Sequence, residues 1–312
     1  MRWIALVLII LLAGCSMQYE QTQDMMDTFV TITVVSDDQD AAEEAIEAAF
    51  NEIGRVESKF TIYEDSIISE LDEKKSIEPD EETLYVIDES ILYSKMTEGS
   101  FDISVQPILD LYSTSFESKG RPPNSSEIDE ALDHVDYRRI NTSESKISIP
   151  TDMKITLGGI AKGYAIDRAV EILEMKGIQA GLVNIGGDLR GYGTKPDGTL
   201  WQVALRNPDD PIEHITIIEV DDEAVATSGN YERYFDKSRE FHHIVDPNTG
   251  YSAQGLISAT VKADTAMKAD ALATGVFVMG REGMRFLEEE GMQGLLITED
   301  REILETGSIG MS

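Results

Sequence analysis

Asp270 and Thr274 stand four residues apart in "KADALATGVFVMG" (268–280), a stretch that Ala269, Ala271, Leu272, Ala273, Val276, Phe277 and Val278 make apolar nearly all round. On a helix that spacing puts a carboxylate and a hydroxyl on one face. Two hard oxygens so placed suit Mg²⁺ or Ca²⁺ and not zinc. A charge at a helix N-terminus, a salt bridge to Lys268, or a threonine bonded to its own backbone would explain the pattern without a metal. In every case a buried carboxylate requires a partner.

A second candidate is "KITLGGIAKGYAIDRAVEILEMKG" (154–177), read as a strand, the pair Gly158 and Gly159, and a helix from about Ile160 that stops at Gly177. Free N–H groups at such a turn and the positive end of the helix dipole can cradle an anion, with Lys162 adding a full charge. Glycines serving backbone geometry alone are the plainer alternative. The third stretch is "FHHIVDPNTGYSA" (241–253), where His242 and His243 precede a good turn sequence. Neighbours on a strand point to opposite faces, so at most one of the two enters a given site, there as a general base. Zinc is disfavoured, since no cysteine is at hand and His134 and His214 lie in unremarkable contexts.

These residues need elements to hold them. "TFVTITVV" (28–35) is β-branched and reads as a strand. In the helix that follows, Ala42, Ala45, Ile46, Ala49, Phe50, Ile53, Val56 and Phe60 form one stripe at helical spacing. "DEETLYVIDESILYSKMTEG" (80–99) reads as a second helix closed by Gly99, and residues 113–127, with Gly120, Pro122 and Pro123, read as a loop excursion within one fold. "SKISI", "AGLVNIGG", "WQVALRN", "HITIIEV", "EAVATSG" and "LISATVKA" are strand-like, the last leading into the Asp270 helix. A short charged helix over 281–290 and a strand "QGLLIT" follow. Helices and strands mix without regular alternation or internal repeat, which predicts an α+β fold.

Arg2 precedes the apolar run "WIALVLIILLAG" (3–14), which is short for a bilayer span and ends at Cys15, the only cysteine. "LAGC" has the form of a lipobox. It predicts a lipoprotein signal peptide over 1–14, lipid on Cys15, a polar tether over 15–25 and a folded domain over 26–312, held at the outer face of the cytoplasmic membrane. A plain N-terminal anchor, or a signal peptide with an incidental cysteine, is the alternative. One cysteine permits no intramolecular disulfide, so stability rests on the core. Against 59 Asp+Glu stand 26 Lys+Arg, a net charge of -33, which makes nucleic acid and anionic lipid surfaces poor partners. An anionic substrate then requires a local positive device: a metal, a lysine or a helix N-terminus.

The blocks "MDTFVTITV", "FTIYEDSIISEL", "EGSFDISVQPILDLY", "ITLGGIAKGYAID", "GLVNIGGDLRGYG", "AVATSGNYERYF", "HHIVDPNTG" and "ADALATGVFVMG" occur in order over nearly the whole mature chain. Together they resemble the ApbE family, the FAD:protein FMN transferases, which are often lipoproteins of the outer cell face. The resemblance implies a T-fold-like α+β architecture in two closely packed lobes with the flavin site between them. It implies a reaction in which FAD is cut at its pyrophosphate, FMN passes to a threonine hydroxyl of an acceptor protein, and AMP leaves. Asp270, Thr274 and the carbonyl of Ala161 fall on the family's Mg²⁺ ligands. Met26, Tyr63, Ser100, Phe101 and Asp102 fall on flavin-contacting positions, and Gly158, Gly159, Lys162 and Tyr164 on the lining of the phosphates and adenosine. His243 falls on the histidine expected to act as base. The implied acceptors are membrane electron-transport subunits carrying a short Asp/Ser/Thr-containing motif. The chain departs from the pattern at Asp27, where many relatives have glycine, at Thr156, commonly aspartate, and at Ala273, often an acid. The same site with water in place of threonine would be a Mg²⁺-dependent FAD pyrophosphatase. A lipid-anchored FAD-binding protein is a third reading, against which Asp270, Thr274 and His243 argue.

Overall fold

In the computed structural model, which describes residues 17–63, 65–210, 212–231 and 233–310, a hairpin comes first: β1 (Met17–Met25) and β2 (Thr28–Ser36). Val30, Ile32 and Val34 are fully buried on one face of β2, and Phe29 is exposed on the other, as alternation requires. Helix α1 (Gln39–Phe60) starts where the Asp38 carboxylate accepts the Ala41 amide, and all of its predicted apolar stripe is buried. An excursion follows: α2 (Ile67–Lys74), β3 (Ser76–Ile77), α3 (Glu81–Met96), α4 (Gln106–Lys119), α5 (Ser125–Leu132), β4 (Asn141–Ser143) and β5 (Lys146–Ser148). The chain returns through α6 (Ala161–Met175), β6 (Gly181–Ile185), β7 (Asp188–Tyr192), β8 (Trp201–Arg206), β9 (His214–Val220), β10 (Glu223–Gly229) and β11 (Leu256–Ala263). Then come α7 (Ala266–Met279), α8 (Glu282–Glu289), β12 (Gln293–Thr298) and β13 (Ile303–Thr306).

The main sheet is antiparallel throughout, in the order β1-β2-β6-β7-β10-β11-β12-β13. One face meets α1, α6 and α7 in a single core, where Ile32, Val183, Ala226 and Val261 pack against Ile46, Ile166, Leu272 and Val276. The other face is covered in part by the β8–β9 ribbon, with Trp201, Ile218 and Val220 on Leu189, Val225 and Ile297. The excursion forms a second lobe. Ile108, Tyr112 and Ile128 pack there with Val245, Phe235 and Phe241 from the chain that follows β10. Segregated helices on an antiparallel sheet are an α+β fold.

The expected tether over 15–25 is instead a strand from Met17 on, paired with β2 along its whole length. Its polar composition suits an exposed edge strand, and only Tyr19 and Met25 pack on the core. Cys15 and the segment 1–14 lie outside the described residues. The expected loop over 113–127 shrinks to 120–124. Gly120 closes α4 in the left-handed conformation at φ 64°, and Asn124 with Glu127 forms a capping box that starts α5. Residues 154–157 make no strand. Their amides go to the Asp72 carboxylate (from Ile155) and to the Ile103 carbonyl (from Thr156), so no ladder forms. Strands β7 and β13, not foreseen, are short and lack a clear alternating pattern.

Candidate active site

Helix α7 is apolar nearly all round because it is sandwiched between β10, β11, α3 and α6. Asp270, only 4 % exposed, is satisfied across the crossing with α6: its Oδ2 accepts the Gly163 amide at 3.0 Å. That amide belongs to the first turn of α6, where the helix dipole favours a carboxylate. The approach depends on Gly163 having no side chain, since a Cβ there would lie 2.2 Å from the Ala266 carbonyl oxygen. Lys268 pairs with Asp264, and Asp270 lies beyond the first turn of its own helix, so the helix N-terminus it serves is that of α6.

One turn further on, the Thr274 hydroxyl lies 3.1 Å from Ser228 Oγ and against Gly159, whose missing Cβ would meet both Thr274 Oγ1 (3.2 Å) and the Phe101 ring (3.3 Å). Gly159, Phe101 and Thr274 therefore form one cluster, and Asp270 and Ala161 flank it on the two crossing segments. The oxygen set of one carboxylate, one hydroxyl and one main-chain carbonyl fits Mg²⁺ in kind. Among the described residues no group of three or more His, Cys, Asp or Glu could hold a metal. A cation on the Asp270 set would then complete its shell with water or substrate oxygens, as Mg²⁺ commonly does. Ala273 is fully buried and supplies no acid.

The glycine turn is less open than a free anion cradle. The Gly158 amide donates to Thr156 Oγ1 at 3.2 Å, the task an aspartate could perform at that position. Lys162 forms an ion pair with Asp188, which is 2 % exposed and also accepts the Thr227 amide at 2.9 Å. Tyr164 is not brought to the Lys162 side. Two residues on, it lies about 200° around the helix. Its hydroxyl donates to Glu82 at 2.8 Å, and its ring packs edge-on against Phe60.

The turn Met26–Asp27 closes the first hairpin with φ of 53° and 58°. Asp27 thus occupies a left-handed position that glycine or a short polar residue tolerates best. The Met26 amide donates to Glu57 at 2.8 Å. Tyr63, past the end of α1, is 82 % exposed. Ser100 is half-buried and Phe101 is buried, its amide donating to Thr97 Oγ1. The Asp102 carboxylate is engaged in structure: it accepts from the Ser104 amide and hydroxyl and from the Tyr137 amide. Burial pushes its pKa up, against those hydrogen bonds.

His242 and His243 divide their roles. His242 is buried, with Nε2 2.8 Å from the Ala253 carbonyl and its ring edge-on to Phe277 of α7. His243 is partly exposed, with Nδ1 3.2 Å from the Arg233 carbonyl. A carbonyl only accepts, so Nδ1 carries the proton and Nε2 is the basic nitrogen. Burial drives its pKa down to about 4, so the ring stays neutral in ordinary buffers. Arg233 in turn lies 3.7 Å from Asp27 in the hairpin turn.

Two site-supporting acids escaped the sequence reading. Asp188 holds Lys162, and Asp167 accepts the Ala266 and Met267 amides and Arg190 Nη1, pinning the start of α7 to α6 and β7. Burial raises the Asp167 pKa while those amides and Arg190 oppose the rise. The available signal for Asp167 was an acid set among the buried Tyr164, Ala165, Ile166, Ala169 and Val170 of α6, the same oddity that marks Asp270.

The fold is α+β, and α7 carries a buried carboxylate and, one turn further on, a hydroxyl at its glycine-lined packing against α6 and the 158–159 turn. Residues 26–296 match the ApbE family, and the chain belongs to it. The FAD:protein FMN transferase of Vibrio cholerae serotype O1 is 32% identical over 313 residues, 95% of this chain and 93% of that protein. That of Escherichia coli K12 is 29% identical over 264 residues, 79% of this chain and 74% of the relative. The crystal structure of the ApbE protein from Thermotoga maritima superposes with a TM-score of 0.88 at 32% identity, covering 95% of this chain and all of that one (100%). The flavin transferase ApbE from Vibrio cholerae gives 0.79 at 28% identity, covering 93% and 97%.

Proposed function

We propose that this chain is a Mg²⁺-dependent FAD:protein FMN transferase. The observation that carries the reading is the buried Asp270 carboxylate on the Gly163 amide at the α6–α7 crossing, with the Thr274 hydroxyl one turn further along α7 and against Gly159. The reaction joins an acceptor threonine Oγ to the FMN phosphorus, breaks the bond from that phosphorus to the AMP oxygen, and releases AMP. His243 Nε2 takes the threonine proton while the Arg233 carbonyl holds the ring in the required tautomer. Asp270, Thr274 and the Ala161 carbonyl would hold Mg²⁺, which would neutralise the diphosphate and stabilise the leaving group. Lys162 supplies a positive charge at the start of α6, balanced by Asp188. In a chain of net charge -33 such local devices are needed before a dianionic diphosphate can bind.

The test is AMP release from FAD with an acceptor peptide present, for the parent and for His243→Asn, with and without excess chelator. Loss in both cases supports the reading; undiminished release in chelator contradicts it. The lipobox supports a lipid on Cys15, with the enzyme on the outer face of the cytoplasmic membrane beside membrane-bound acceptors. Cys15→Ala should then release the protein from the membrane fraction, and unchanged partition would contradict the anchor.

A further inference from the structure

Among the described residues no strand covers the edge of the first hairpin, whose turn comes within 3.7 Å of Arg233. Met26 and Asp27 are the two left-handed residues of a two-residue turn, so the flanking pair Met25 and Thr28 exchanges hydrogen bonds. Back along the ladder, Gln23, Gln21, Tyr19 and Met17 also bond to β2, while Gln18, Glu20, Thr22 and Asp24 turn their N–H and C=O groups the other way. No described strand pairs with that side, since β1 is the first strand of the sheet. Sheets commonly guard such an edge with proline, lysine or a bulge. Met17–Met25 has none of these, and its register with β2 is unbroken.

A groove of about 500 Å³ lies beside this edge, lined by Gln23 and Met25 of β1 and, mostly with polar side chains, by Glu47, Asn51, Arg55 and Ser58 of α1. A strand added to β1 would send alternate side chains toward the groove and the others toward the outer face of Glu20 and Asp24. At its far end the edge reaches Asp27, which contacts Arg233, whose carbonyl holds His243.

We propose that the β1 edge is the docking track for the acceptor polypeptide, which adds as a β-strand and is thereby led to His243. The occupant is an extended segment with polar side chains for the groove lined by Gln23, Asn51 and Ser58 and Lys or Arg facing Glu20 and Asp24. The charge follows from an edge with acids and no cation in a strongly acidic chain. This rests on the transferase reading, because only a protein acceptor needs such a track.

The probe is a synthetic peptide about as long as β1, carrying the Asp/Ser/Thr motif flanked by serine and lysine. Thr22→Pro removes one outward N–H and leaves the β2 ladder in place. It should raise the peptide KM at least about tenfold and leave kcat within about twofold. Thr31→Val, which breaks the same Thr22–Thr31 hydroxyl pair from the β2 side, should leave the peptide KM unmoved. In the parent protein, peptide binding should slow amide exchange at Gln18, Glu20, Thr22 and Asp24, a readout that stands even if the proline variant does not fold. An unchanged KM in folded Thr22→Pro, or protection elsewhere only, overturns the proposal. Protection that grows with protein concentration without peptide assigns the edge to a second copy and also overturns it. A peptide that never gains FMN mass refutes the transferase reading first, and the docking track with it.

Discussion

Replacing Gly163 by alanine should force apart the two helices that carry the site. The added Cβ would lie 2.2 Å from the Ala266 carbonyl oxygen, 2.5 Å from its carbon and 2.7 Å from Met267 Cα. These are main-chain atoms and cannot rotate aside. Restoring an ordinary carbon–oxygen contact of about 3.3 Å requires a separation of about 1 Å. The same shift stretches the Gly163–Asp270 hydrogen bond from 3.0 Å to about 4 Å, beyond its range. Overpacking costs about 1–3 kcal/mol and losing a buried bond to a carboxylate about 1.5–3 kcal/mol. Alanine's better helix propensity returns only about 1 kcal/mol. The net loss is about 3 kcal/mol at mid-range, or about 5 °C in Tm for a chain of this size. Thermal unfolding followed by circular dichroism, with AMP release measured below the transition, tests both halves. A Tm within about 2 °C of the parent and undiminished AMP release would show that α6 and α7 do not cross this closely.

Asp270→Asn keeps an acceptor for the Gly163 amide, so Tm should stay within about 2 °C while AMP release falls at least about 100-fold; parallel loss of both would make Asp270 structural only. For His243, burial lowers the pKa to about 4, so kcat/KM should fall on an acidic limb near pH 4 and not near 6.5. Between those values the unfolded chain binds the extra proton, so this group's stabilising contribution is full above about pH 6.5 and is lost as pH falls toward 4. Asp72 has the opposite sign: burial raises its pKa to about 6, so the folded form binds the extra proton and its contribution is lost as pH rises from about 4 to 6. Asp72→Asn, which keeps an acceptor for the Ile155 amide, should therefore stabilise by about 1 kcal/mol at pH 8 and not at pH 4, read as Tm across pH. Tyr164→Phe should leave the KM for FAD within about twofold, because its hydroxyl faces Glu82; a larger change would return Tyr164 to the substrate lining.

What was legible in the chain follows from where burial imposes a period. The α1 stripe and the buried face of β2 repeat at 3.6 and 2 residues because each faces the core, and Asp270 stood out because its neighbours are apolar. Strand β1 was hidden because an edge strand needs no apolar face, so its polar residues imitate a tether. The signals at Gly120 and Asn124 were visible as turn chemistry, yet they are the stop and start of two helices. The partners of the site, Asp188 for Lys162 and Asp167 for the α7 amides, are 26 and about 100 residues distant in sequence. No local spacing reports contacts at that range. The division of labour between His242 and His243 likewise depends on two carbonyls, of Ala253 and Arg233, that only the fold brings near.

The measurement that bears most directly on the central claim is mass spectrometry of an acceptor peptide after incubation with the protein, FAD and Mg²⁺, with AMP followed in the same mixture. The account predicts a mass gain equal to FMN, located on the peptide threonine, in step with AMP and absent from Asp270→Asn and from a peptide lacking the threonine. AMP and free FMN with an unmodified peptide, across acceptors of varied flanking sequence, would contradict it and make the chain a hydrolase of FAD.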